Sequence, residues 1–147
     1  MSTTEASPPS SSHGTVMTIT YLWRSEFSNE AVNRLHAEAF GHRLFQDDWW
    51  TQVNQHSLGW VCAHAAEELV GFVNVAWDGA LHAFILDTMV AANYQRRGIA
   101  SEMLAICARE ARNARCEWLH VDFEEHLRPL YFDRGGFAPT SAGLIRL

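Results

Sequence analysis

Residues 90–101, Val-Ala-Ala-Asn-Tyr-Gln-Arg-Arg-Gly-Ile-Ala-Ser, restrict most strongly what this chain can fold into. They separate two segments of opposite periodicity. Upstream, Ala83-Phe-Ile-Leu-Asp-Thr-Met-Val90 is short, apolar and bounded as a buried strand is. Downstream, Ala100, Met103, Leu104, Cys107, Ala108 and Ala111 recur at helical spacing, with Glu102, Arg109 and Arg112 on other faces. A strand that feeds a helix through so short a turn leaves the first N–H groups of the helix without intrahelical partners. Gly98 adds no side chain at that point, so an anion can approach the backbone closely. Arg96 and Arg97 add their charge to the positive end of the helix dipole. The turn therefore predicts a phosphate or pyrophosphate site.

The chain has 147 residues, which bounds it to one domain large enough to bury a core. No apolar run approaches the ~18 residues a membrane span needs, so no membrane partner is expected. Cys62, Cys107 and Cys116 are scattered and odd in number, which predicts reduced thiols and a cytoplasmic location rather than a disulfide framework. All 11 basic residues are arginine and the net charge is −6, so nucleic acid is not an expected partner. No His, Cys or Asp spacing predicts a closed metal site. Residues 1–15 are rich in Ser, Thr and Pro and nearly free of apolar residues, which predicts a disordered tail ahead of a domain at 16–147.

Within that domain, Met17 to Trp23 alternates as a strand. Ser28 caps a helix that ends before Gly41, and Asp47-Asp48 opens a second helix through His56. Strands follow at Gly59–Ala65, Leu69–Trp77 and Leu81–Val90, the last two joined by an Asp78-Gly79 turn. After the long helix come a strand at Glu117–Phe123, a short helix from Leu127 to about Arg134, and a final strand within 137–147. The predicted order is β-α-α-β-β-β-α-β-α-β, an α/β chain with a mixed sheet.

Gln95-Arg96-Arg97-Gly98-Ile99-Ala100 resembles the Q/R-x-x-G-x-G/A signature of the GNAT superfamily of acyl-CoA-dependent N-acyltransferases. The element order is also that family's, so the resemblance spans residues 17–147. It implies a mostly antiparallel sheet with splayed fourth and fifth strands, flanked by helices. It also implies acetyl-CoA as co-substrate, with the pyrophosphate at Gln95, Arg96, Arg97, Gly98, Ile99, Ala100 and Ser101. The pantetheine arm would pair with the strand end at Met89 and Val90.

A second family motif, N-x-x-A-x-x-F-Y-x-x-x-G-F, is matched loosely by Glu124-Glu-His-Leu-Arg-Pro-Leu-Tyr-Phe-Asp-Arg-Gly-Gly-Phe137. The Asn is replaced by an acid, and the count to Gly-Phe is one residue long. Either Tyr131 or Phe132 therefore stands where the family carries the Tyr that protonates departing coenzyme A. Tyr131 is the preferred register, because Gly135-Gly136 can absorb an insertion and phenylalanine has no proton to give. Phe132 and Phe137 read as the core aromatics. Leu127-Arg-Pro-Leu-Tyr131 also resembles the L-x-P-F-Y run of arylalkylamine N-acetyltransferases, although Phe84 and Leu86 stand where those enzymes place histidines.

Acetylating an amine requires a proton acceptor as well. His82, His120 with Asp122, Asp87 and the pair Glu124-Glu125 are candidates, and His120 is taken with Tyr131 as the catalytic set. The family places the acceptor pocket beside the first two helices, which here bring Asp47, Trp49 and Trp50, a set suited to a cationic amine. The expected partners are a small-molecule or peptide amine and, in a homodimer, a second copy of the chain. A non-catalytic acyl-CoA-binding module is the alternative function.

Overall fold

A computed structural model describes residues 18–147. Met17 and the predicted tail at 1–15 lie outside the described residues. Five strands form one sheet in the order β1-β2-β3-β4-β5: β1 (Ile19–Trp23), β2 (Ser57–Ala65), β3 (Glu68–Trp77), β4 (His82–Val90) and β5 (Trp118–Val121). The first three pairings are antiparallel and β4–β5 is parallel. A parallel neighbour needs a crossover, and α3 (Ile99–Asn113) supplies it.

Local chemistry sets the helix ends. Ser28 Oγ accepts from Ala31 N–H at 3.1 Å to start α1 (Asn29–Phe40), and Gly41 closes it at φ 68°. Asp48 accepts from Thr51 N–H at 3.1 Å to start α2 (Trp49–His56). Asn29 ties the two starts together: its Nδ2 donates to Asp48 Oδ1 and its Oδ1 accepts from Trp50 N–H. The buried core runs from Val32 and Leu35 of α1 through Val61, Phe72 and Val73 of the sheet to Met103 and Cys107 of α3. Helices thus cover a central sheet, the architecture expected from the element order.

Two segments near the end differ from the predicted pattern. The short helix is a 3₁₀ turn at Glu125–Leu127 followed by a π-helical turn at Pro129–Arg134. A π turn holds one residue more than an α turn, so it accommodates the extra residue of the second motif. Gly135 and Gly136 complete the accommodation. A side chain on Gly135 would lie 2.8 Å from Tyr131 O, and Gly136 sits at φ 76°. Residues 137–147 form no strand. The β5 ladder is four residues long, and the stretch beyond Phe137 contains Pro139, which has no N–H to donate, and Gly143.

Candidate active site

The parallel ladder fixes where the sheet opens. β4 and β5 are in register only from His82↔Trp118 to Ile85↔Val121. Beyond Ile85, β4 runs on to Val90 along β3 while the other chain turns away, so the two strands part. A cavity of about 980 Å³ lies in the gap. Leu86, Asp87, Thr88 and Val90 form one wall, Asp122, Phe123 and Glu124 the other. Leu130 and Tyr131 close it from the π turn, and Ala39 and Phe40 of α1 reach its edge.

A β-bulge shapes the first wall. Phe72 pairs with Met89 and Asn74 with Leu86, so the single residue Val73 faces both Asp87 and Thr88. Asp87 takes the left-handed conformation, φ 57°, that lets the extra residue fit. Polar Asp87 and Thr88 in the middle of an apolar strand are the visible sequence signal for this irregularity. Their part in the site was only half anticipated: Asp87 was one candidate among several, and Thr88 was not singled out.

At one end of the cavity, Gly98 begins α3 at φ 80° and offers no side chain to cap it. A Cβ built on Gly98 would meet nothing within 4 Å, so the space over the first turn is open. Glu102 N–H is the first to bond inside the helix, at 3.0 Å to Gly98 O, which leaves the preceding amides available. Gln95 Nε2 holds the turn to Val90 O at 3.2 Å. Arg96 and Arg134 bring positive charge to the lining. Open amides, a bare glycine and two guanidiniums suit a pyrophosphate.

Residues 17–137 match the profile of the acetyltransferase (GNAT) family. The chain belongs to that family. GNAT enzymes use acetyl-CoA, and the open first turn of α3 fits the coenzyme's charged end. Among solved structures, an acetyltransferase of the GNAT family from Streptococcus pneumoniae is similar at TM-score 0.71 and 23% identity, over 88% of this chain and 98% of that one. An acetyltransferase from Trypanosoma brucei is similar at TM-score 0.73 and 13% identity, over 88% and 100%. AAC(6')-Iy, solved with a bisubstrate analogue of coenzyme A and acetylneamine, is similar at TM-score 0.69 and 18% identity, over 88% and 97%. No curated protein sequence matches the chain.

Within the GNAT frame, Val90, Gln95, Arg96, Gly98, Ile99, Ala100, Ser101 and Tyr131 all line the cavity. Met89 is buried in the core, and the Arg97 guanidinium lies over the Tyr94 ring, 5.1 Å from its centroid. His120 is outside the lining. It stacks on Phe84 at 4.5 Å and meets His82 Nδ1 at 2.8 Å on an exposed part of the sheet. Asp47, Trp49 and Trp50 sit at the α1–α2 junction, also outside the lining. Buried Asn33 explains two of them, since its Oδ1 accepts from Trp49 Nε1–H at 2.9 Å and its Nδ2 donates to Asp47 O at 3.0 Å. Trp50 packs edge-on against Phe27 and Trp60.

Burial tunes the two titratable groups of the lining that the chemistry can use. It raises the Asp87 carboxyl above the usual carboxylate range, while the charge of His36 and a hydrogen bond from Asn74 pull back. It also raises the Tyr131 phenol, opposed by the Thr88 side chain. Behind Asp87, His36 and His42 form a chain. Arg43 O can only accept, so His42 Nδ1, 2.6 Å away, carries the hydrogen. His42 Nε2 then accepts from His36 Nδ1–H at 2.5 Å, and the His36 lone pair resides on Nε2. Burial lowers the His36 pKa, and the charge of Asp87 opposes that shift. Among the described residues no group of three or more ligating side chains could hold a metal ion, and no helix is long and apolar enough to cross a membrane. The three cysteines are free thiols.

Proposed function

We propose that the protein transfers the acetyl group of acetyl-CoA to a primary amine of a small molecule or peptide. One observation carries this reading: Asp87 and Tyr131 line the same cavity, whose far end is the open first turn of α3. A depot for anions, a base and an acid thus share one cleft. Acetyl-CoA supplies an activated thioester. The rest is the work of this chain's residues.

Gly98, the amides of the first turn and Arg96 hold the charged end of the coenzyme, and the β4 wall from Leu86 to Val90 directs its other end between the strands. An ammonium has no lone pair, so its proton must leave before nitrogen attacks the carbonyl carbon. Asp87 is the acceptor: its raised pKa makes it a stronger base than an exposed aspartate. As the new C–N bond forms and the C–S bond breaks, Tyr131 gives its phenolic proton to the departing sulfur. The phenol's raised pKa keeps that proton in place across the physiological range. Asp122 and Glu124 on the opposite wall favour a cationic acceptor. The coenzyme–acetylneamine complex of AAC(6')-Iy supports an amine as acceptor on this fold.

Incubating the full chain with acetyl-CoA and a panel of primary amines, with free thiol as readout, tests the assignment. Amine-dependent thiol release is expected. Coenzyme binding with no release for any amine would favour a non-catalytic acyl-CoA-binding module instead.

A further inference from the structure

Among the described residues, two buried side-chain polar atoms have no hydrogen-bond partner, Ser25 Oγ and Thr88 Oγ1. A buried hydroxyl left unpaired costs stability, so one that stands in an active site calls for a reason. Thr88 stands there. It follows Asp87 in the β4 bulge, opposite Val73, and lines the same cavity as Tyr131, whereas Ser25 does not. Tyr131 has the complementary need. It is only 3% exposed, and its ring is held by Phe123 on one side and Phe137 on the other. Once its proton has gone to sulfur, the phenol oxygen is negative where water is scarce, and the packed ring cannot swing toward a new donor. Such a charge is costly unless a donor already faces it. Thr88 is near enough to act on the phenol, since its side chain lowers the phenol's pKa against the effect of burial. Cys107 on α3 also acts on the phenol, but in the opposite sense.

We propose that Thr88 supports Tyr131 as the acid: its hydroxyl, uncommitted in the resting protein, donates to the phenolate oxygen that forms as the phenol gives its proton to sulfur. This rests on the reading of Tyr131 as general acid, and it makes Thr88 a positioning residue for that acid, not a group that touches the thioester or the amine. A threonine hydroxyl suits the task, because it carries one hydrogen on a C–O bond that rotates freely. As the C–S bond breaks, sulfur takes the electron pair and the Tyr131 proton, and Thr88 O–H turns its hydrogen to the phenolate without giving it up. Nitrogen sheds its second proton as the amide forms, and that proton, carried by water, restores the phenol. The unpaired oxygen thus destabilises the resting state and finds its partner only in the transition state, which is the kind of interaction that raises kcat.

Thr88→Val keeps the branched shape and removes the hydroxyl, while Thr88→Ser keeps the hydroxyl. Thr88→Val is expected to melt at or above the parent's temperature, because it deletes an unpaired buried oxygen. Calorimetric titration should give it the parent's affinity for acetyl-CoA, because Oγ1 is shielded from the cavity. Its kcat should nonetheless fall about ten- to a hundredfold, the range a hydrogen bond to a charged group commands. Thr88→Ala, smaller and also without a hydroxyl, should show the same loss of kcat, and Thr88→Ser should recover most of it. In a Tyr131→Phe background Thr88→Val should slow turnover no further, since no phenolate forms there. A Thr88→Val protein with the parent's kcat, beside a slow Tyr131→Phe protein, would overturn the proposal and leave Tyr131 as the acid. Thr88→Ser as slow as Thr88→Val, or the same loss from Thr88→Val in both backgrounds, would overturn it as well. A fully active Tyr131→Phe protein would remove the acid reading and this proposal together.

Discussion

The rings of Tyr131 and Phe123 stack, with centroids 4.7 Å apart and planes 15° from parallel. Phe137 meets the other side of Tyr131 edge-on at 5.8 Å, and Phe132 meets Phe123 at 4.9 Å. Aromatic packing therefore positions the phenol in the wall of the cavity. Phe132 is only half-buried and outside the lining, so the two neighbours on the π turn have separate tasks.

Removing one oxygen from Tyr131 should consequently spare the fold. Tyr131→Phe is expected to keep its ring stacked and to bind acetyl-CoA, while turnover falls by about 10²–10⁴-fold, the usual worth of a general acid. Steady-state kinetics beside an acetyl-CoA titration checks this. Full turnover from pH 6 to 9 would mean that solvent or another group protonates the sulfur.

At Gly98 a side chain is opposed twice. The residue's φ of 80° strains any L residue, and the space a side chain would fill is where the anion must come. Two like charges about 4 Å apart repel by about 4 kcal/mol at an effective dielectric of about 20. Gly98→Glu should thus weaken acetyl-CoA binding by about a hundredfold or more. Gly98→Ala, with strain but no charge, should lose much less. Calorimetric titration of both variants, with melting curves to confirm the fold, distinguishes repulsion from misfolding.

Much of this arrangement was legible in the residues. Ser28, Gly41, Asp48 and Gly98 announced helix ends because each solves a local backbone problem, and local problems are written locally. The anion turn was readable for the same reason. What sequence left open depends on register between distant segments. His120 and Asp87 are both polar residues in apolar strands. Only the bulge opposite Val73 and the early end of the β4–β5 ladder put Asp87 in the cavity and His120 on the outside. The adjacent tryptophans were ambiguous until Asn33, sixteen residues before Trp49, supplied a buried acceptor for its indole. The final strand failed to appear where Pro139, which has no N–H to donate, and Gly143 interrupt the apolar pattern.

Asn33 gives a stability prediction. Its side chain satisfies the buried Trp49 indole N–H and also holds the carbonyl of exposed Asp47. Asn33→Ala leaves the indole N–H without its partner, and an unsatisfied buried group costs about 1–3 kcal/mol. Chemical denaturation should show a loss within that range. Asn33→Asp, which keeps an acceptor for the indole but none of the donors, should also be destabilised. A loss below about 0.5 kcal/mol for Asn33→Ala would show that water reaches the indole N–H.

Asp87 sets function against stability, and its sign can be worked out. Burial raises its folded-state pKa above the unfolded value, so the native protein holds this proton more tightly than the unfolded chain does. The stabilising contribution is therefore fully present below the unfolded pKa of about 3.9 and is lost as pH rises through the folded pKa. At neutral pH the ionised carboxylate is a burden that the native state carries. Asp87→Asn removes the burden while keeping the shape, so its melting temperature should exceed that of the parent near pH 7. The gain should shrink as pH falls and vanish once the parent's carboxyl is protonated in both states. Turnover should move the other way, falling by about 10²–10⁴-fold if Asp87 is the proton acceptor. The acid limb of the parent's kcat profile should disappear with it, because the Asn variant has no carboxylate to lose. His36, whose pKa is lowered by burial, acts in the opposite sense: its contribution to stability is present above its unfolded pKa and lost as pH falls through its folded one. Measuring both variants, Asp87→Asn and His36→Gln, at several pH values separates the two titrations. An Asp87→Asn protein that is more stable yet fully active would leave the carboxylate a structural burden and move the base to another residue of the cavity wall.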